Sequence, residues 1–95
     1  MKILISKVVL IIPFSKSLKD KRKVVKCIKD RIWSKFRASI SEIEENNSLQ
    51  KAVLGIVYVS NDKSLLDSII NNIIDLVEAS YPGVLHNYEY TIETY

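Results

Sequence analysis

The sequence predicts an α+β domain in strand–helix–strand–strand–helix–strand order, a four-stranded antiparallel sheet with two helices on one face. Three observations lead there. Two windows, Leu18 to Ile32 and Leu66 to Val77, carry apolar residues at helical spacing. Both are flanked by apolar or alternating runs of strand length. Of the four runs, the first and third are apolar on both faces and the other two are half polar, as central and edge strands require. The 95 residues are enough for one domain, spanning 1–95, and 47% hydrophobic with 26% charged residues is ordinary globular composition.

The first strand is Lys2 to Ile12, rich in Ile, Val and Leu, and Pro13 ends it because proline cannot donate to a ladder. Helix one starts at Ser17, which with Asp20 has capping-box spacing, and runs to about Lys35. Leu18, Val25, Ile28 and Ile32 form its apolar stripe, with Val24 at the border. Phe36 to Glu44 alternates Phe36, Ala38 and Ile40 against Arg37, Ser39 and Ser41, an edge strand, and Glu45 to Ser48 form a polar turn. The third strand is Leu49 to Ser60. Ser60, Asn61 and Asp62 then open helix two, whose stripe is Leu66, Ile69, Ile70, Ile73 and Val77, flanked by Leu65 and Ile74. Pro82 and Gly83 end it. In the last strand, Val84 to Thr94, Val84, His86, Tyr88, Tyr90 and Ile92 point one way and Asn87, Glu89, Thr91 and Glu93 the other. This order is the ferredoxin-like βαββαβ arrangement, with strands one and three in the middle.

Composition bounds the function. One cysteine, Cys27, cannot form an internal disulfide, and with His86 alone it makes no structural zinc site, so a reducing, cytoplasmic compartment is expected. The apolar run Ile3 to Ile12 is about half of what a membrane span needs, and no secretory cleavage pattern follows it. No membrane partner, cofactor or metal is expected. The net charge of +3 hides an asymmetry. Residues 16–37 hold ten Lys or Arg against Asp20 and Asp30, whereas residues 38–95 hold Lys51 and Lys63 against nine carboxylates.

On a helical wheel Lys19, Arg22, Lys23, Lys26 and Lys29 share one face, with Trp33 at its end. Neighbours at these spacings repel, and the N-terminal dipole disfavours those in the first turns. The arrangement costs stability, and a polyanion such as RNA explains its presence. The alternatives are a merely solvated basic face with Trp33 folded against the core, an acidic protein, or a membrane surface. Helix one needs its apolar stripe to cover the sheet, which leaves little for lipid.

The sheet face opposite the helices offers a second surface. RNA-recognition domains share this strand order and stack bases on aromatics of strands one and three. Here Ile56 follows Gly55 where an aromatic is expected, and strand one has none. A bare apolar sheet face points instead to a partner sheet and a homodimer. Cys27 and His86 lack a supporting constellation, so no catalytic role is expected of either. Glu42, Glu44 and Glu45 read as a solvated strand end, and Ser60-Asn61-Asp62 as caps.

Ser17-Leu18-Lys19-Asp20-Lys21-Arg22 and Ala52-Val53-Leu54-Gly55-Ile56-Val57-Tyr58-Val59-Ser60-Asn61-Asp62 resemble the two signatures of the YlxP-like bacterial domain of unknown function. Asp20 departs mildly from a usual Glu. Phe36 to Gln50 is similar to that family's strand and acidic loop, with Glu44, Glu45 and Asn46 where aspartates are customary. The resemblance covers nearly the whole chain. It implies a ferredoxin-like fold, no established catalytic residues, and genes often placed beside those for translation initiation factor two and ribosome-binding factor A. The expected function is therefore non-enzymatic binding of RNA or the ribosome through helix one. The alternative is a homodimeric interaction or regulatory module that uses the open sheet face.

Overall fold

In the computed structural model, which describes residues 1–95, the apolar β-rich segments pair into a sheet with one face covered by the helices. Its elements are β1 (Lys2–Ile11), α1 (Leu18–Phe36), β2 (Ser39–Glu44), β3 (Lys51–Ser60), α2 (Lys63–Ser80) and β4 (Leu85–Thr94). The sheet order is β2-β3-β1-β4, every neighbour antiparallel, so the two most apolar strands are central as expected. A cluster of 19 buried residues lies between the sheet and the helices. It includes Leu4, Val8 and Leu10 of β1, Leu54 and Ile56 of β3, Ile28 and Ile32 of α1, and Leu66, Ile70 and Ile73 of α2.

The capping expectations hold with one adjustment. Ser17 Oγ accepts from the Asp20 N–H, while the Asp20 carboxylate accepts from the Lys16 N–H at 3.0 Å. Asp62 alone is the N-cap of α2, accepting from Ser64 and Leu65, and Ser60 Oγ accepts from the Asp62 N–H. Gly83 takes the left-handed conformation, φ 82°, just beyond the end of α2.

Three boundaries differ from the sequence reading. α1 runs through Phe36 and closes on Arg37 at φ 57°, whose N–H donates to the Trp33 carbonyl. Phe36 to Ala38 is therefore a helix end and link, and β2 starts only at Ser39. β3 starts at Lys51, after the turn. In β4 the register with β1 shifts at Val9/Leu10, so that Leu85, and not His86, pairs with Leu10. The extra residue of the bulge breaks the alternation that had put His86 in line with the tyrosines, and His86 is exposed.

A second bulge, between Glu42 and Glu44, turns Ile43 onto the open sheet face, over Gly55. A Cβ at Gly55 would stand 3.0 Å from the Ile43 side chain, so the glycine lets Ile43 settle close over the strand.

Candidate nucleic-acid interface

α1 contributes three kinds of side chain to its surroundings. Val24, Val25, Ile28 and Ile32 enter the core. Lys21 falls within the same arc and is fully buried, 0% exposed, which the sequence reading missed. Its ammonium donates to the carbonyls of Glu45 (2.5 Å) and Ser48 (2.9 Å) in the β2–β3 turn, and Glu42 Oε2 of β2 lies 2.9 Å away. The Glu42 contact is an ion pair lying off the hydrogen-bond direction, and that oxygen has no hydrogen-bond partner. A buried ammonium is tolerable only with such full compensation. Its position one turn from Leu18 and Val25 and two from Ile28 on the apolar side was the signal for it.

The third kind is the basic face. Lys19, Arg22, Lys23 and Lys26 are exposed and Lys29 is half-buried. Trp33 is 52% exposed and outside the core, which removes the alternative of an indole folded inward. The Arg37 guanidinium lies 5.2 Å from the Trp33 ring centre, a cation–π contact that presents both groups together. Lys26 is less free than its sequence position implied. It bonds Asp30 at 2.5 Å, and that hydrogen bond and the Asp30 charge hold the Lys26 ammonium above the ordinary lysine range.

These residues border two adjoining depressions where α1 overhangs β2. One, of about 380 Å³, is lined by Arg22, Val25, Lys26, Lys29, Asp30 and Glu42. The next, of about 460 Å³, shares Lys29 and Asp30 and adds Trp33, Arg37, Ala38, Ser39 and Ile40. Together they form a trough along the helix, with Arg22, Lys26, Lys29, Trp33 and Arg37 on one wall. Lys19 and Lys23 line neither depression. Arg37 was not among the residues singled out from sequence, because it reaches the trough by ending the helix and not by lying on its wheel.

The remaining candidates are placed elsewhere. Each acidic residue of the strand end takes a lysine: Glu42 with Lys21, Glu44 with Lys7 at 3.0 Å, and Glu45 with Lys51 at 3.9 Å. Cys27 is on the α2 side of α1 beside Tyr81, whose phenol is pushed up by hydrogen bonding to Cys27 and by burial. Tyr58, the aromatic of β3, pairs with Leu4 on the helix side of the sheet and packs against the core, so it offers no stacking platform on the open face. No three of His, Cys, Asp and Glu gather closely enough to hold a metal ion, and no helix is long and apolar enough to cross a membrane.

Comparison with known structures supports the fold alone. The chain is similar to the de novo designed protein Foldit4 at 10% identity, covering 100% of this chain and 99% of that one, with a TM-score of 0.58. A de novo designed protein with ferredoxin fold gives a TM-score of 0.53 at 10% identity over 100% of this chain and 87% of that one. SnoaB, a cofactor-independent oxygenase from Streptomyces nogalater, gives 0.54 at 8% identity over 99% of this chain and 92% of that one. In sequence the chain is 34% identical to the uncharacterized protein YlxP of Bacillus subtilis over 68 residues, which are 72% of this chain and 73% of YlxP. Residues 3–90 match the family described as "Protein of unknown function (DUF503)", and with its YlxP-like signatures, one binding turn to helix and one running along β3, the chain belongs to that family.

Proposed function

We propose that this protein is a non-enzymatic binder of RNA, alone or on the ribosome, and that the trough between α1 and β2, with the adjoining crest of Lys19 and Lys23, is its contact surface. The observation that carries the reading is Trp33. A large indole is left half in water, between Lys29 and Arg37, on a helix whose neighbouring positions are cationic. Aromatic rings flanked by cations suit a single strand, whose bases stack while its phosphates meet Lys and Arg. The charge pattern fits the same ligand, since α1 keeps repelling cations where a helix selected for stability alone would alternate signs.

Lys26 spends its charge on Asp30, which leaves Lys19, Arg22, Lys23, Lys29 and Arg37 as free cations of the face. If all five meet phosphates of single-stranded RNA, log affinity falls with log salt at a slope of about −3.5, roughly 0.7 per contact. The test is a titration of short unstructured RNA at several salt concentrations, read by fluorescence anisotropy. Arg22→Glu with Lys29→Glu is expected to weaken binding strongly and to flatten the slope by about 1.4. Unchanged affinity in that double variant would remove α1 as the contact. Co-sedimentation of the same variant with ribosomes extends the test to the assembled particle.

A further inference from the structure

We infer that the open face of the sheet is the interface of a homodimer, packed with its two-fold axis parallel to the strands. The inference rests on a different face from RNA binding, because α1 stays outermost in such a dimer and only Arg37 belongs to both surfaces. On this face Ile5, Ile43, Val57 and Val59 are between 41% and 53% exposed, grouped on the central strands and the β2 bulge. Around Gly55, Ile5, Ile43 and Val57 border a shallow groove of about 440 Å³. Scattered apolar residues need no partner, but a contiguous apolar sheet face does.

The size is adequate for a second copy. Three strands of ten residues and one of six, about 4.8 Å apart at about 3.3 Å per residue, span roughly 570 Å². Two such faces bury roughly 1,100 Å², just above the ~1,000 Å² that a specific interface needs. The anatomy also fits, since an apolar centre lies between two polar rims.

The rims select the symmetry. The strand register sets four levels across the open face. β4 contributes Glu93, Thr91, Glu89 and Asn87, level with Ile3, Ile5, Lys7 and Val9 of β1. β2 contributes Ser39, Ser41 and Glu44 at the last three levels, and Arg37 borders the first level beside Val57 and Val59. An axis parallel to the strands lays β2 of one copy over β4 of the other and keeps each level. Arg37 then meets Glu93, Ser39 meets Thr91, Ser41 meets Glu89, and Glu44 meets Asn87. The usual angle of about 30° between packed sheets slides the rims by about a residue and keeps opposite charges together. An axis across the strands would instead lay β4 on β4 with the levels reversed, gathering Glu89 and Glu93 of both copies on one rim and leaving Arg37 on the other. Lys7, near the centre, enters the interface already paired with Glu44, so no lone charge is buried.

Sedimentation equilibrium and light scattering at micromolar concentration are expected to give twice the 10.9 kDa chain mass. Val57→Lys should return the mass to the monomer while circular dichroism stays unchanged, because Val57 lies outside the core cluster. Glu93→Arg and Arg37→Glu should each weaken the dimer, and the two together should restore it. A monomeric wild type, or a dimer indifferent to Val57→Lys, overturns the interface. Tightening by Glu93→Arg alone overturns the proposed axis.

Discussion

α1 and α2 are nearly equal in length, 19 and 18 residues, and cover the same side of one sheet, yet they divide their surfaces differently. α2 buries six apolar side chains, Leu66, Ile69, Ile70, Ile73, Ile74 and Val77, and carries a single cation, Lys63, paired with Asp67 at 3.5 Å. α1 buries four, Val24, Val25, Ile28 and Ile32, and gives a fifth buried place to Lys21. Its remaining positions carry seven more basic residues against Asp20 and Asp30. Two helices under the same packing demand need not differ this way. The difference teaches that α2 is committed to the core, whereas α1 covers the sheet with fewer apolar groups and carries a basic outer face that packing does not require.

Truncation in α2 should have the largest effect. Ile73→Ala removes a fully buried side chain from the centre of the core and is expected to cost about 4 kcal/mol in urea unfolding. A loss below about 1 kcal/mol would break the picture of α2 as the helix committed to packing.

Lys21→Met comes next. It keeps most of the length of the side chain but removes the ion pair of Glu42 and frees the β2–β3 turn, for an expected loss of about 3 kcal/mol. Pairing it with Glu42→Leu should recover only part of that loss, because the Ser48 carbonyl still lacks its donor. Full recovery would show that the turn contacts contribute nothing.

These two residues also mark how far the sequence could be read. Ile73 was legible because period 3.6 identifies a buried stripe without knowledge of its partner. The strand order was legible for a similar reason, since the contrast between doubly apolar and half-polar runs assigns centre and edge. Lys21 was not, because its neutralising carbonyls come from a turn 24 and 27 residues away. Arg37 and His86 were misplaced by backbone events with weak local signals: a left-handed helix end without glycine, and a bulge in β4. Of the basic face, the location was legible from the wheel. Its division into trough and crest depends on where β2 passes.

The smallest effect is expected on the α2 side. Tyr90 OH donates to Asp67 Oδ1 at 3.1 Å, and that hydrogen bond, with burial, raises the phenol above its ordinary value of 10.0. A group raised on folding contributes stability that is complete below its unfolded pKa and is lost as pH climbs through the folded value. Tyr90→Phe should therefore lower Tm slightly at neutral pH, and the gap should narrow above pH 10.0. A gap that widened with pH would contradict the assigned donor.

The central claim is that the outer face of α1 serves a ligand and not the fold, and Trp33→Ala tests it most directly. Thermal unfolding and RNA titration should be measured on the same sample. An exposed indole whose main partner is the Arg37 guanidinium contributes no more than about 1 kcal/mol to stability. The account predicts a Tm close to the wild type, together with a tenfold or greater loss of RNA affinity, the scale of one lost base stack of about 1–3 kcal/mol. A sharp fall in Tm, or RNA binding untouched by the substitution, would contradict it.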